Sequence, residues 1–198
     1  MLQEESGSFL ITLPIVALGS NEETEFGGAE AIVRSAFAAL EKAGLALRAA
    51  SDLFATPCFP AGFGPDFVNA VVVLEPGRSA QEIMTILHRI EADFRRKREH
   101  RWGPRTLDLD LIAMGETILP DLATQRHWQE LAPERQMQLA PDQLILPHPR
   151  LQDRAFVLIP MAQLVANWKH PVIGKTVNQM LAALPEAEKA DIRPLARP

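Results

Sequence analysis

RRKREHRWGPRTLDLDLIA, residues 95–113, runs from a cationic cluster through a Trp-Gly-Pro corner into an alternating segment. In that segment Leu107, Leu109 and Leu111 alternate with Thr106, Asp108, Asp110 and Ile112. Strict alternation marks a half-buried strand. Successive side chains of a strand point to opposite faces, so the leucines share one face and the aspartates the other. The Cα atoms of the two aspartates then stand roughly 6.5–7 Å apart. Carboxylates at that spacing can hold hard cations such as Mg²⁺, which takes oxygen ligands and often completes its shell with substrate phosphates. Arg95, Arg96, Lys97, Arg98, Arg101 and Arg105 precede them. Anionic ligands beside guanidinium groups suit a polyphosphate with its magnesium, the arginines taking the phosphate oxygens that the metal leaves uncovered. Fixed-φ Pro104 beside permissive Gly103 shapes the corner between the two halves. Two plainer readings stay open on these residues alone. The D-x-D can be a solvated strand face, and the basic run a solvated helix end or a nucleic-acid patch.

Upstream, Ile11 to Leu18 reads as a first strand whose near-continuous apolar character fits burial on both faces. Gly19-Ser20-Asn21 has the composition of a turn whose backbone can approach a ligand. Ile32, Val33, Ala36, Phe37 and Leu40 fall at helical spacing, with Gly44 as a stop. Leu45 to Ala55 reads as a second strand. The Pro- and Gly-rich loop after it, Thr56 to Pro65, carries Phe59 and Phe63. Such a loop either packs down as an ordinary Ω-type loop or closes over something apolar. Phe67 to Leu74 reads as a third strand, in which the amide of Asn69 must find hydrogen-bond partners. Ser79-Ala80-Gln81-Glu82 is a capping box and starts a second helix, with Ile83, Ile86, Leu87, Ile90 and Phe94 as its buried stripe.

The order strand, helix, strand, strand, helix, strand predicts one α+β domain. It is a ferredoxin-like βαββαβ core, a mostly antiparallel sheet covered by helices. Ile118-Leu119 reads as a short return strand, and residues 120–143 as a surface excursion around Trp128 without evident chemistry. Phe156 to Val165 is a further core element, helical or strand-like. Thr176 to Leu184 is a short helix, and the residues beyond it are expected to fray.

The 198 residues suit one domain, and 47% hydrophobic with 23% charged is ordinary for a protein with a proper core. The net charge of −5 sets the basic run against an acidic background, which argues against a general nucleic-acid partner. Cys58 is the single cysteine, so no internal disulfide framework is possible and a reducing, cytoplasmic compartment is expected. The first residues carry acidic groups where a signal peptide needs positive ones, and their apolar run is too short to span a bilayer. No membrane partner is expected.

Several motifs now stand in one order: Gly19-Ser20-Asn21, Ile90-Glu91, Arg96-x-Arg98, RWGPRTLDLD (101–110) and LPHPRLQDRAFVLIPM (146–161). Together they closely resemble the 6-hydroxymethyl-7,8-dihydropterin pyrophosphokinases, over about residues 15–184. Enzymes of that family move the pyrophosphoryl group of ATP onto a pterin alcohol in folate biosynthesis, releasing AMP. The resemblance implies a pyrophosphokinase domain over 10–184, with an insertion at about 120–143 and extensions at 1–9 and 185–198. It implies ATP as co-substrate and two Mg²⁺ ions held by Asp108 and Asp110, which with Arg96 and Arg98 form the catalytic group. Glu91, Arg101, Trp102, Arg105 and Leu111 are expected at the nucleotide, with His148 and Arg154 on its phosphates. For the pterin the resemblance points to the Gly19, Ser20 and Asn21 turn, to Thr56, Pro57 and Phe59 of the Pro-rich loop, and to Asn69. Phe67, Trp102 and Phe156 are expected at the pterin too, with Phe156 stacked on its ring and Trp102 helping to exclude water. Phe67 stands where some members carry Tyr, and Arg95 where the family usually has Gly. Partners are expected to be these small molecules alone, on a monomer or weak homodimer.

Overall fold

The computed structural model describes residues 12–58, 64–94, 106–132, 135 and 138–196. Strand β1 (Pro14–Ser20) is followed by α1 (Ala29–Lys42), β2 (Leu47–Ala50), β3 (Phe54–Thr56), β4 (Phe67–Leu74), α2 (Ala80–Asp93) and β5 (Asp108–Met114). Then come α3 (Leu122–Glu130), a 3-10 turn (Leu151–Asp153), α4 (Ala155–Val165), α5 (Val177–Ala183), α6 (Glu186–Lys189) and β6 (Arg193–Pro194). Among the described residues the sheet runs β5-β1-β4-β3-β6, with β2 also paired to β4, and all its pairings are antiparallel. Taken with β2 and β3 as one interrupted strand, this is the expected ferredoxin-like α+β order.

The two central strands are apolar on both sides, and each side meets different helices. Val16, Leu18, Val68, Ala70, Val72, Leu107, Leu109 and Leu111 pack with Ile32, Val33, Ala36 and Leu40 of α1 and Ile83, Leu87 and Ile90 of α2. On the other face Ile15, Val71, Val73, Ile112 and Ala113 pack with Val157, Leu158 and Met161 of α4 and Val177 and Met180 of α5. A register shift opposite Ile15 and Val16 is why the consecutive residues Ile112 and Ala113 both serve this second layer.

Helix limits follow the local signals. Ser79 and Glu82 form the reciprocal capping box at the start of α2. Gly44, at φ 82°, ends α1, where its N–H donates to the Glu41 carbonyl at 2.9 Å.

The structure departs from the sequence reading in four places. Gly19 and Ser20 are strand residues, because β1 stays bonded to neighbours on both sides as far as Ser20. The second strand is broken at Ser51–Leu53. There the Ser51 hydroxyl accepts the Val71 N–H at 3.0 Å and restores the pairing that the bend interrupts. The return strand at Ile118-Leu119 is one bridge, Leu119 to Leu146. Beyond Leu184 the chain forms α6 and then pairs β6 with β3, with Leu195 donating to the Leu53 carbonyl at 2.8 Å. Pairing to an open sheet edge is a long-range event that no local pattern announces.

His170, wholly buried after α4, gives the fold a pH dependence. Burial pulls its pKa down to about 4. Its Nδ1 accepts the N–H groups of Val172 at 3.2 Å and Ile173 at 3.4 Å, so a proton there would face two donors. The folded imidazole stays neutral down to about pH 4, whereas in the unfolded chain it protonates near about 6.5. Stability is therefore complete above the unfolded value and is lost as pH falls from there toward the folded one, by on the order of 3 kcal/mol. Thermal unfolding of His170→Gln should show a shallower loss of Tm than the wild type between about pH 7 and pH 5. Parallel curves would remove His170 as the source.

Candidate active site

On the second face of the sheet α4 and α5 pack at the end marked by Ile15, Val71, Val73, Ile112 and Ala113. At the other end the sheet presents polar groups in register. Asp108 pairs with Gly19 and Asp110 with Ala17, while Gly19 also pairs with Asn69 and Phe54 with Asn69. Cross-strand partners share a face, so Asp108, Gly19 and Asn69 form one row, with Asp110 a row deeper toward α4. The leucines of β5 are all in the opposite core, and both aspartates are half-buried, as the alternation predicts.

Among the described residues β5 is an edge strand, and two side elements bond to its outer edge. The buried Glu91 carboxylate on α2 accepts the Leu109 N–H at 2.8 Å, between the two aspartates. Farther along, the His148 N–H donates to the Ile112 carbonyl at 2.8 Å. Glu91 thus holds the backbone that carries the carboxylates, and His148 is delivered beside them by its own main chain.

Among the described residues the cationic side of the site comes from the segment before α4. Arg154 Nη1 lies 3.8 Å from Asp110 Oδ2, and its guanidinium carbon is 5.7 Å from the centre of the Phe156 ring. Phe156 itself is exposed, at 38%. Arg150 is held by Asp153 at 2.8 Å, and its N–H donates to His148 Nδ1 at 3.0 Å. Burial drives the pKa of His148 well below the usual histidine value. The charges of Arg154 and Arg150 push the same way, and Asp108 only partly opposes them. A neutral imidazole with Nδ1 accepting carries its proton on Nε2. His148 is thus a neutral hydrogen-bond donor, and the positive charge toward an anion falls to the arginines.

The Asn69 end of the row is polar and closely packed. Asn69 Nδ2 donates to the Thr56 hydroxyl at 2.6 Å, and both side chains are buried. A Cβ on Gly19 would stand 2.7 Å from Asn69 Oδ1 and 3.9 Å from a Phe67 ring carbon, so glycine leaves room for both. Asn21 Nδ2 donates to the Pro65 carbonyl at 3.2 Å, which ties the end of β1 to the Pro-rich loop. Pro57 is exposed beside it. A flat ring with amide-like edges matches this mixture of amide, hydroxyl and aromatic surface.

Two expected site residues point elsewhere. Ser20 pairs with Val68 and shares the α1/α2 face, where its hydroxyl is buried and lacks a partner among the described residues. Leu111 lies 3% exposed in that same core. Strand alternation is the reason in both cases: each sits one residue out of phase with the open face. Phe59, Arg96, Arg98, Arg101, Trp102 and Arg105 lie outside the described residues. The sequence reading had no role for Arg150, although its motif was visible. It also missed Glu22, whose carboxylate accepts from the buried Thr106 hydroxyl just before β5, because that contact joins residues far apart in the chain.

Among the described residues no three metal-ligating side chains cluster. The donor set is the Asp108 and Asp110 pair. Such a pair suits a hard cation whose remaining ligands come from water and substrate phosphate, and an all-protein cage would need more ligands. The residues fit magnesium in that shared manner.

The fold and the site define a ferredoxin-like α+β protein with a carboxylate–arginine cluster at one end of its sheet. A profile of the family described as 7,8-dihydro-6-hydroxymethylpterin-pyrophosphokinase (HPPK) matches residues 15–166. The chain belongs to this HPPK family. A Synechocystis protein named 2-amino-4-hydroxy-6-hydroxymethyldihydropteridine pyrophosphokinase is 38% identical over 117 residues, covering 59% of this chain and 50% of that one. The protein of the same name from Pseudomonas aeruginosa is 36% identical over 61% of this chain and 62% of its own length. That from Bacillus subtilis is 31% identical over 75% of each. The chain therefore spans about half to two thirds of the first two relatives. The crystal structure of wild-type Plasmodium falciparum HPPK-DHPS superposes with a TM-score of 0.60 at 12% identity, over 86% of this chain and 44% of that one, a likeness of fold. No described helix is long and apolar enough to cross a membrane.

Proposed function

We propose that this protein transfers the pyrophosphoryl group of ATP to the hydroxymethyl oxygen of 6-hydroxymethyl-7,8-dihydropterin, releasing AMP. The observation that carries the reading is the shared row of Asp108, Gly19 and Asn69. A carboxylate pair with a nearby arginine beside a buried amide supports a site for a phosphate chain and a heteroaromatic acceptor. The relatives' names agree with it.

In this reading the hydroxymethyl oxygen attacks the β-phosphorus. The bond from that phosphorus to the α–β bridging oxygen breaks, its electron pair leaves with AMP, and the hydroxyl proton passes to solvent. Asp108 and Asp110 would hold two Mg²⁺ ions, which supply charge neutralisation across the phosphates when bound. Arg154 meets negative charge on the phosphoryl oxygens, and His148 donates from Nε2. Asn69 and Thr56 set the pterin edge, Phe67 and Phe156 offer aromatic surface, and Asn21 holds the loop at Pro65. By the family motif Arg96 and Arg98 are assigned to catalysis at the phosphates, Arg101 and Arg105 to the nucleotide, Trp102 to nucleotide and pterin, and Phe59 to the pterin. The single cysteine and the need for cellular ATP support a cytoplasmic location.

AMP release tests the whole reading. AMP should appear only when ATP, Mg²⁺ and the pterin are all present, with the pyrophosphate ester forming in equal amount. AMP formation independent of the pterin would overturn it.

A further inference from the structure

The excursion at 120–143 carries a residue that reaches the active site through one carbonyl. Gln125, on α3, is wholly buried although its helix is otherwise largely exposed. Its Nε2 donates to the Pro147 carbonyl at 3.3 Å and to Gln129 Oε1 at 3.3 Å. Pro147 immediately precedes His148. On one side of it, Leu119 and Leu146 exchange backbone hydrogen bonds at 2.9 and 3.1 Å. On the other, His148 N–H bonds to Ile112 and His148 Nδ1 receives the Arg150 N–H. The segment that presents His148 and Arg150 is thus fixed to β5 and to Leu119 by main chain, and at the bend between these ties by a side chain.

We propose that Gln125 is a positioning residue: by holding the Pro147 carbonyl it fixes the bend that sets His148 and Arg150 against the Asp108–Asp110 face. The excursion then acts as a brace for the phosphate end of the site. Burying an amide is costly unless its hydrogen bonds are needed. Gln125 Oε1 is buried with no partner among the described residues, so burial is not rewarded by full pairing. The amide is oriented for its donor, and that donor meets Pro147. This inference rests on the phosphate-binding role proposed for His148, but the contact itself can be tested without it.

Gln125→Met keeps the length and removes the donor. Amide hydrogen exchange of the folded chain should rise about tenfold over 146–150 while β4 amides stay unchanged. Affinity for Mg²⁺ with α,β-methylene ATP should fall about tenfold, with pterin affinity unaltered. Unchanged exchange over 146–150, or a uniform rise across all core amides, would overturn the brace. If the wild type does not bind the nucleotide analogue, the proposed function fails while the exchange result still decides the brace. If the Met variant does not fold, Gln125→Leu with Gln129→Ala as control puts the same question. The Leu variant should loosen 146–150, the Ala variant should not, and equal behaviour of the two would overturn the proposal.

Discussion

Asp110→Ala should lower the rate of AMP formation by about a thousandfold or more, while pterin affinity changes by less than about threefold. Asp110 is on the open face, one row deeper than Asp108, and no third carboxylate joins the pair among the described residues. Removing half of a two-carboxylate donor set leaves the metal to water and phosphate, and the loss falls on charge stabilisation in the transition state. Folding should hardly register the change. The pair with Arg154 spans 3.8 Å, and its side chains are 30% and 42% exposed, so solvent screening leaves it worth less than about 1 kcal/mol. Single-turnover AMP release, calorimetric pterin titration and Tm together separate these effects. Equal losses of turnover and pterin affinity would count against a metal-holding role.

Gly19→Ala should weaken pterin binding by about ten- to a hundredfold and leave nucleotide binding almost unchanged. The added methyl would stand 2.7 Å from Asn69 Oδ1, inside any tolerated contact. Asn69 cannot swing away cheaply, because its Nδ2 is committed to Thr56 and both groups are buried. The amide must tilt, and the edge it presents to a ring is lost. A double-mutant cycle with Asn69→Ala isolates this cause. Once the amide is gone, the extra methyl should cost little more. Additive losses would show that Gly19 acts by some other route.

Much of this architecture was legible from periodicity. The alternation of Leu107 to Ile112 assigned one face of β5 to the core and the other to the carboxylates, since a strand repeats every two residues. The capping box at Ser79 located α2 to within a residue, and the Phe67 to Leu74 run is β4 without adjustment. The site was less legible, for a geometric reason. Motif likeness attaches a residue to a function without saying which way its side chain points. Ser20 and Leu111 match the motif by position, and strand phase turns both into the α1/α2 core. Glu91 matches too, and the structure adds its grip on the Leu109 N–H.

The sequence by itself determined the βαββαβ order of the core, the burial phase of β5, the carboxylate pair and the family. These depend on interactions within a turn or a strand, where neighbours in sequence are neighbours in space. Only the tertiary structure decided that α4 and α5 pack on the second face against Ile15, Val71, Val73, Ile112 and Ala113. It alone brought Asn69, Gly19 and Asp108 into one row, made His148 a neutral donor, and sent Gln125 from a surface excursion to the Pro147 carbonyl. Those outcomes depend on burial and on register between segments tens of residues apart, and no local pattern encodes either.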